Sequence, residues 1–218
     1  MVKEFLQYNA VRNDALKLAY KIYQEDGFVP DVIYCSLRGG AYMANVISEY
    51  YKIARKNHRP VLYAAVVARS YSGVRNSSSK VFVDGWTYPP ANLRPGDKIM
   101  LVDDIFDSGN TINALVSVLM DYGMQREDIK VVVHDYKHFT YKDPQPIVPD
   151  YYCRKIEVTK PEEDRWIHYM SHELVGLEGK ELEENYYEYD PSLRQVLGPI
   201  LGEKWKRLLY FSCFYLLH

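Results

Sequence analysis

Between Ile99 and Thr111 the chain passes without a break from apolar residues to charge and then to a tight polar loop. Ile99, Leu101 and Val102 lead into the adjacent carboxylates Asp103 and Asp104, and Asp107-Ser108-Gly109-Asn110-Thr111 follows. From Asn113 to Tyr122 the pattern is that of an amphipathic helix. The order reads as a buried strand, an acidic strand end, an anion-cradling loop and a helix start. Backbone N–H groups at a helix start lack partners within the helix and carry partial positive charge, so they bind phosphate well. Gly109 allows close backbone approach, and Ser108 and Thr111 add hydroxyl donors. The neighbouring carboxylates suit ribose hydroxyls or a divalent cation that takes oxygen ligands.

The flanking segments place this stretch in a larger pattern. Asn13 to Glu25 reads as a helix capped by Asn13, with Ala15, Leu18, Ala19 and Ile22 on one face and Gly27 at its end. Val32 to Cys35 is a short apolar strand followed by Leu37-Arg38-Gly39-Gly40, and Tyr42 to Arg55 is a second helix. Val61 to Ala68 is continuously apolar, as in a strand covered on both faces. Ser72 to Ser79 is small and polar and reads as a mobile loop, with Lys80 to Thr87 returning from it as an edge strand. Asp128 to His134 supplies another β-branched strand. Alternating helix and strand predicts an α/β fold, a parallel sheet flanked by helices with right-handed crossovers. Ligands then sit beyond the carboxyl ends of the strands, where Arg38, Arg69, Asp103 and Asp104 are expected.

Beyond Lys137, Tyr151 to Val158 and Trp166 to Tyr169 read as short strands of a small flap over the active face. Glu178 to Tyr189 is acidic and helical in pattern, and an apolar block from Leu208 to Leu217 could pack on the domain, line a dimer interface or touch a membrane surface, its shortness favouring the first two. The expected organisation is one domain over residues 1–218. Its core covers about 28–138, its hood about 139–175 with part of the N-terminal segment, and 176–218 form a C-terminal helical extension. The net charge of -2, without a basic run, argues against nucleic-acid binding. Cys35, Cys153 and Cys213 show no metal-binding spacing. With no apolar leader at the N-terminus and no run long enough to span a membrane, a reducing cytoplasm is the expected location.

With these residues assembled, the chain resembles the type I phosphoribosyltransferases, and within them the 6-oxopurine (hypoxanthine, guanine and xanthine) enzymes. Val102 to Thr111 is similar to their signature for 5-phosphoribosyl 1-pyrophosphate. Leu37 to Gly40 resembles the pyrophosphate loop, which in the family often follows an unusual cis peptide. Ser70-Tyr71 resembles the start of the mobile catalytic loop. Lys137 sits where these enzymes place a purine-contacting lysine. Trp166-Ile167, with Glu173 beyond, resembles the segment that stacks on the base and ends in a metal-binding carboxylate. Arg38 departs from the lysine that many relatives carry; its planar fork engages phosphate oxygens bidentately.

The resemblance implies a purine-salvage transferase. A purine ring nitrogen would displace pyrophosphate from C1 of the ribose through an oxocarbenium-like transition state, giving GMP, IMP or XMP. It implies Mg²⁺ held at Asp103, Asp104 and Glu173. Asp103, Asp104, Asp107, Ser108, Gly109, Asn110 and Thr111 would bind phosphoribosyl pyrophosphate, together with Arg38, Gly39, Gly40, Ser70 and Tyr71. Asp107 would be the acid/base group near purine N7. Lys137 would bond the 6-oxo group, Trp166 would stack on the base, and Ile167 would offer backbone groups to its edge. A homodimer or homotetramer is the family habit. Taken singly these residues have plainer readings: Asp107 as a helix cap, Asp103-Asp104 as a solvated acidic turn, Trp166 as core, Lys137 and Glu173 as surface charges. Two other functions fit the acidic pair. One is a regulatory protein that senses phosphoribosyl pyrophosphate or nucleotide without turnover, although no DNA-binding element precedes Val32. The other is a receiver domain, whose acidic pair would follow the first strand.

Overall fold

The computed structural model describes residues 2–55, 60–71 and 80–200, with the side chains of 69–71 and 80 excepted. The expected mobile loop at Ser72 to Ser79 and the apolar tail, with Cys213, lie outside the described residues. By its contacts the chain divides into two compact units, 1–172 and 173–218.

The first unit is built on a six-stranded sheet. Its strands are β2 (Val32–Leu37), β3 (Leu62–Tyr71), β4 (Lys80–Trp86), β5 (Ile99–Phe106), β6 (Ile129–Phe139) and β7 (Tyr151–Val158), and their order is β4-β3-β2-β5-β6-β7. All neighbours are parallel except β4, which returns antiparallel along the β3 edge as expected. The apolar alternation explains how both faces are buried. Val32, Tyr34, Ile99, Leu101, Val131 and Val133 pack under α3 (Asn110–Asp121). Their neighbours Ile33, Cys35, Met100, Val102 and Val132 face α1 (Tyr8–Tyr20) and α2 (Ala41–Ala54) on the opposite side. Each residue in these strands therefore loses its contact with water on one face or the other, which is why the runs read as continuously apolar.

Sheet order positions the site. From β2 the chain crosses through α2 to β3 on one side, and from β5 through α3 to β6 on the other. The two crossovers lie on opposite faces, and the order reverses between β2 and β5, which leaves a crevice outside their carboxyl ends.

Several boundaries differ from the sequence expectation. The first helix starts at Tyr8, so Asn13 lies within it and is no cap; the helix runs on as a π-helical turn, Lys21–Glu25, before Gly27 at φ 65°. Arg69, Asp103 and Asp104 lie inside β3 and β5, because sheet pairing carries both strands further than their apolar runs. Tyr151–Val158 is no part of a flap: it is the sixth strand of the main sheet, parallel to β6. The hood strand β8 (Trp166–Tyr169) pairs in parallel with the N-terminal β1 (Lys3–Leu6), matching Lys3 to Trp166 and Leu6 to Tyr169.

The second unit contains α4 (Gly179–Leu182), capped by reciprocal Glu178 and Glu181 bonds, and a π-helical turn, Glu183–Tyr187. Leu182, Tyr186 and Tyr187 are buried, and Arg194 forks onto Glu183 at 2.6 and 2.7 Å.

Candidate active site

At the head of β2 the Leu37–Arg38 peptide is cis, and it turns the chain into Gly39-Gly40 and the start of α2. Neither glycine has open space beside its Cα, and at Gly40 the obstruction is backbone. A Cβ on Gly39 would overlap the Asp104 carboxylate, and one on Gly40 would overlap the Val102 carbonyl oxygen. The Arg38 loop is thus packed backbone-to-strand against the acidic pair on β5, with the Arg38 side chain exposed above it.

Asp103 and Asp104 stand next to each other with little solvent. The Asp104 N–H donates to Asp103 Oδ1 at 3.0 Å, and the Ile105 N–H donates to Asp104 Oδ1 at 2.8 Å. Burial, then the adjacent Asp104 charge, push the Asp103 carboxyl well above the usual carboxylate range, and only partial relief comes from the buried Ser36 hydroxyl. Asp104 Oδ2 also lies 3.2 Å from Nε2 of His172.

Past Phe106 the chain turns through Gly109, at φ 76°, into α3. Gly109, rather than Asp107, is the residue at the helix cap and has no side chain to cap it, while the Asn110 N–H reaches the Ser108 hydroxyl at 3.5 Å. Asn113 fixes the loop from behind: its amide donates to the carbonyls of Gly109 and Ile147 at 2.9 and 3.1 Å and accepts from the Ile147 N–H at 3.1 Å. A cleft of about 200 Å³ is lined by residues 103–109, Thr111 and Ile112. Asp107 is half-exposed there.

On β6, Lys137 is buried to 5% exposure, and its ammonium lies 2.7 Å from Asp164 Oδ1 and 3.4 Å from Asp107 Oδ2. Two carboxylates thus accept from an ammonium that carries three N–H donors. A larger cleft of about 460 Å³, lined by Asp107, Ser108, Lys137 and Phe139 among others, opens beside it. Trp166 is half-exposed rather than core, while Ile167 is buried with Val11 and Tyr169.

Of the predicted residues, the structure gathers Arg38, Gly39, Gly40, Asp103 and Asp104 at the β2–β5 crevice, and Asp107 to Thr111 continue from β5. Lys137 meets Asp107. Ser70 and Tyr71 end β3, where their backbones pair with Val81 and Lys80. Glu173 opens the second unit, and among residues of its own unit its carbonyl accepts from Tyr186. Sequence reasoning missed Ser36, Asn113 and Asp164. Each is a common polar residue whose role comes from a partner distant in the chain or, for Ser36, on another strand.

A parallel α/β sheet with a glycine turn into a helix and paired carboxylates at its switch point is the kind of place where phosphorylated ligands bind in such folds. The family can be stated more closely. Residues 1–167 match the phosphoribosyl transferase domain, and the chain belongs to that family. It is 26% identical over 165 residues to the bifunctional protein PyrR of Halalkalibacterium halodurans, a match covering 75% of this chain and 88% of that protein. Among solved structures it is similar to a purine phosphoribosyltransferase of Pyrococcus horikoshii (21% identity, TM-score 0.59, 82% of this chain and 99% of that one). It is also similar to a Neisseria gonorrhoeae protein with bound ppGpp (20%, 0.57, 80% and 91%). The Helicobacter pylori xanthine-guanine-hypoxanthine phosphoribosyltransferase matches at 19% identity and TM-score 0.51, over 78% of this chain and 91% of that one. At these identities the structural likenesses establish the fold. No helix among the described residues is long and apolar enough to cross a membrane.

Proposed function

We propose that the protein transfers the 5-phosphoribosyl group from phosphoribosyl pyrophosphate to a 6-oxopurine, releasing pyrophosphate, in purine salvage. The observation that carries this reading is Lys137, a buried ammonium between Asp107 and Asp164 that lines the larger cleft. An obligate donor there favours an acceptor at purine C6, an oxo group, over the amino group of adenine. A bonded site that loses its partner also discriminates strongly.

In this reading the uncapped α3 start, with Ser108 and Thr111, grips the 5′-phosphate, and Arg38 with the Gly39-Gly40 backbone holds the leaving pyrophosphate. Asp103 and Asp104 hold the ribose hydroxyls. Their crowding and the raised Asp103 carboxyl suit a hard divalent cation, so they fit Mg²⁺ as ligands, direct or through water. Bound there, Mg²⁺ would supply positive charge as the pyrophosphate leaves. Glu173 keeps its proposed metal role on the family resemblance alone. Asp107 takes up the proton at N7 as charge leaves the base, and Ser70 and Tyr71 close the reacting centre from water. Half-exposed Trp166 offers its ring to stack on the purine, and Ile167 offers backbone groups to its edge.

Incubation with Mg²⁺, phosphoribosyl pyrophosphate and each of hypoxanthine, guanine, xanthine and adenine tests the proposal. Nucleotide should form from at least one 6-oxopurine; none from any of them would refute it. The likeness to a protein called bifunctional favours a second reading, a regulator that binds phosphoribosyl pyrophosphate or nucleotide. Tight binding without turnover would select it. The further expectations, a cytoplasmic location and assembly as a homodimer or homotetramer, belong to the same proposal.

A further inference from the structure

Beneath the acidic pair lies a group of buried charges that the proposed chemistry does not use. Asp135, on β6, is fully buried, and one of its oxygens meets Arg154 Nε of β7 at 2.5 Å. Arg154 reaches on to Glu4 of β1 at 2.5 Å. The second Asp135 oxygen lies 2.9 Å from His134 Nδ1 and 2.5 Å from the Tyr169 hydroxyl of β8. Burial would raise the Asp135 carboxyl, but His134, Arg154 and Tyr169 together hold it below the usual range, so it is a fixed anion. Burial, then the Asp135 and Asp104 charges, keep the Tyr169 phenol protonated by pushing it well above its ordinary value.

The single proton of that phenol is shared between Asp135 and a second, longer-range acceptor. Tyr169 Oη lies 3.0 Å from the main-chain carbonyl of Asp104. Its ring stacks at 5.5 Å and 16° on the imidazole of His172, whose Nε2 faces the Asp104 carboxylate at 3.2 Å. One hood residue thus meets Asp104 by two routes. Gly39 also crowds it, since even a Cβ there would strike that carboxylate.

We infer that Tyr169 is a positioning residue for Asp104: its hydroxyl holds the Asp104 carbonyl while its ring backs His172 against the carboxylate. Asp135 anchors the hydroxyl from below. Asp104 is thereby fixed by its contacts with Gly39, Tyr169 and His172. The inference rests on the reading of Asp104 as a ribose and cation group.

Tyr169→Phe keeps the ring and its stacking and removes only the hydroxyl. Calorimetric titration with phosphoribosyl pyrophosphate and Mg²⁺ should show Kd rising about tenfold, the scale of one lost hydrogen bond at a charged site. The Michaelis constant for the purine base should stay within twofold. A purely structural loss would lower Tm and weaken both ligands alike. An unchanged Kd in a folded Tyr169→Phe chain, or an equal loss for the base, would overturn the inference. His172→Gln is the second variant, needed if Tyr169→Phe fails to fold. Its Kd should rise at least threefold, and a change within twofold would count against the inference. Wild-type protein that binds the ligand but transfers nothing would remove only the proposed transfer. Wild-type protein that fails to bind it would remove both.

Discussion

At the proposed phosphate end of the crevice, Arg38-Gly39-Gly40 and Asp103 to Thr111 come from two continuous stretches of chain, and main-chain packing sets their geometry. Gly39 lies on the Asp104 carboxylate and Gly40 on the Val102 carbonyl, while the loop beyond ends in an uncapped helix. At the proposed base end, Lys137 and Asp164 come from separate elements, and side-chain charges set their geometry. The phosphate end should therefore fail when backbone is displaced, and the base end when a partner charge is removed.

The largest effect should come from the backbone side. Gly40→Ala forces β2 and β5 apart, and initial transfer rates should fall by about 100-fold or more, since misplacement of about 1 Å costs that much. Rates within threefold of wild type would break the account of that end. Asp107→Asn follows: kcat should drop about 100-fold with phosphoribosyl pyrophosphate affinity kept within a few-fold, the signature of lost proton transfer. Asp164→Asn should raise the Michaelis constant for the base about tenfold while leaving that for phosphoribosyl pyrophosphate unchanged, because Lys137 loses its nearer partner. Equal changes in both constants would erase the distinction between the ends.

Smaller effects concern stability. A carboxyl raised in the folded state, as at Asp103, contributes fully at low pH and loses that contribution as pH rises through its folded value. Asp103→Asn should thus raise Tm at neutral pH by roughly a few degrees while weakening binding of phosphoribosyl pyrophosphate with Mg²⁺. Asp135 has the opposite sign. Its lowered carboxyl stabilises above the ordinary value of about 4 and loses that effect as pH falls further. Melting curves of Glu4→Gln, which trims the outer pair on Arg154, should shift least, by about 1 kcal/mol or less.

The same division explains what could be read before folding. The Asp103–Thr111 loop, the Gly39-Gly40 turn and the alternating α/β order are local patterns, so they were legible in the residues themselves. Tyr151–Val158 was not, because an amphipathic strand reads alike in a flap and at a sheet edge; only its parallel pairing with β6 decides. Asp164 and Tyr169 carry no local mark. Their roles come from Lys137, Asp135 and Asp104, which lie 27, 34 and 65 residues away along the chain. Asp107 was legible as a helix cap, a place that the structure gives to Gly109, leaving its carboxylate to Lys137.

Base discrimination by wild-type protein and Lys137→Gln tests the central claim most directly. With Mg²⁺ and phosphoribosyl pyrophosphate, wild type should show kcat/KM for its best 6-oxopurine at least about 100-fold above that for adenine, and Lys137→Gln should shrink the ratio about tenfold or more. Equal use of adenine by wild type, or a ratio untouched by the substitution, would contradict it.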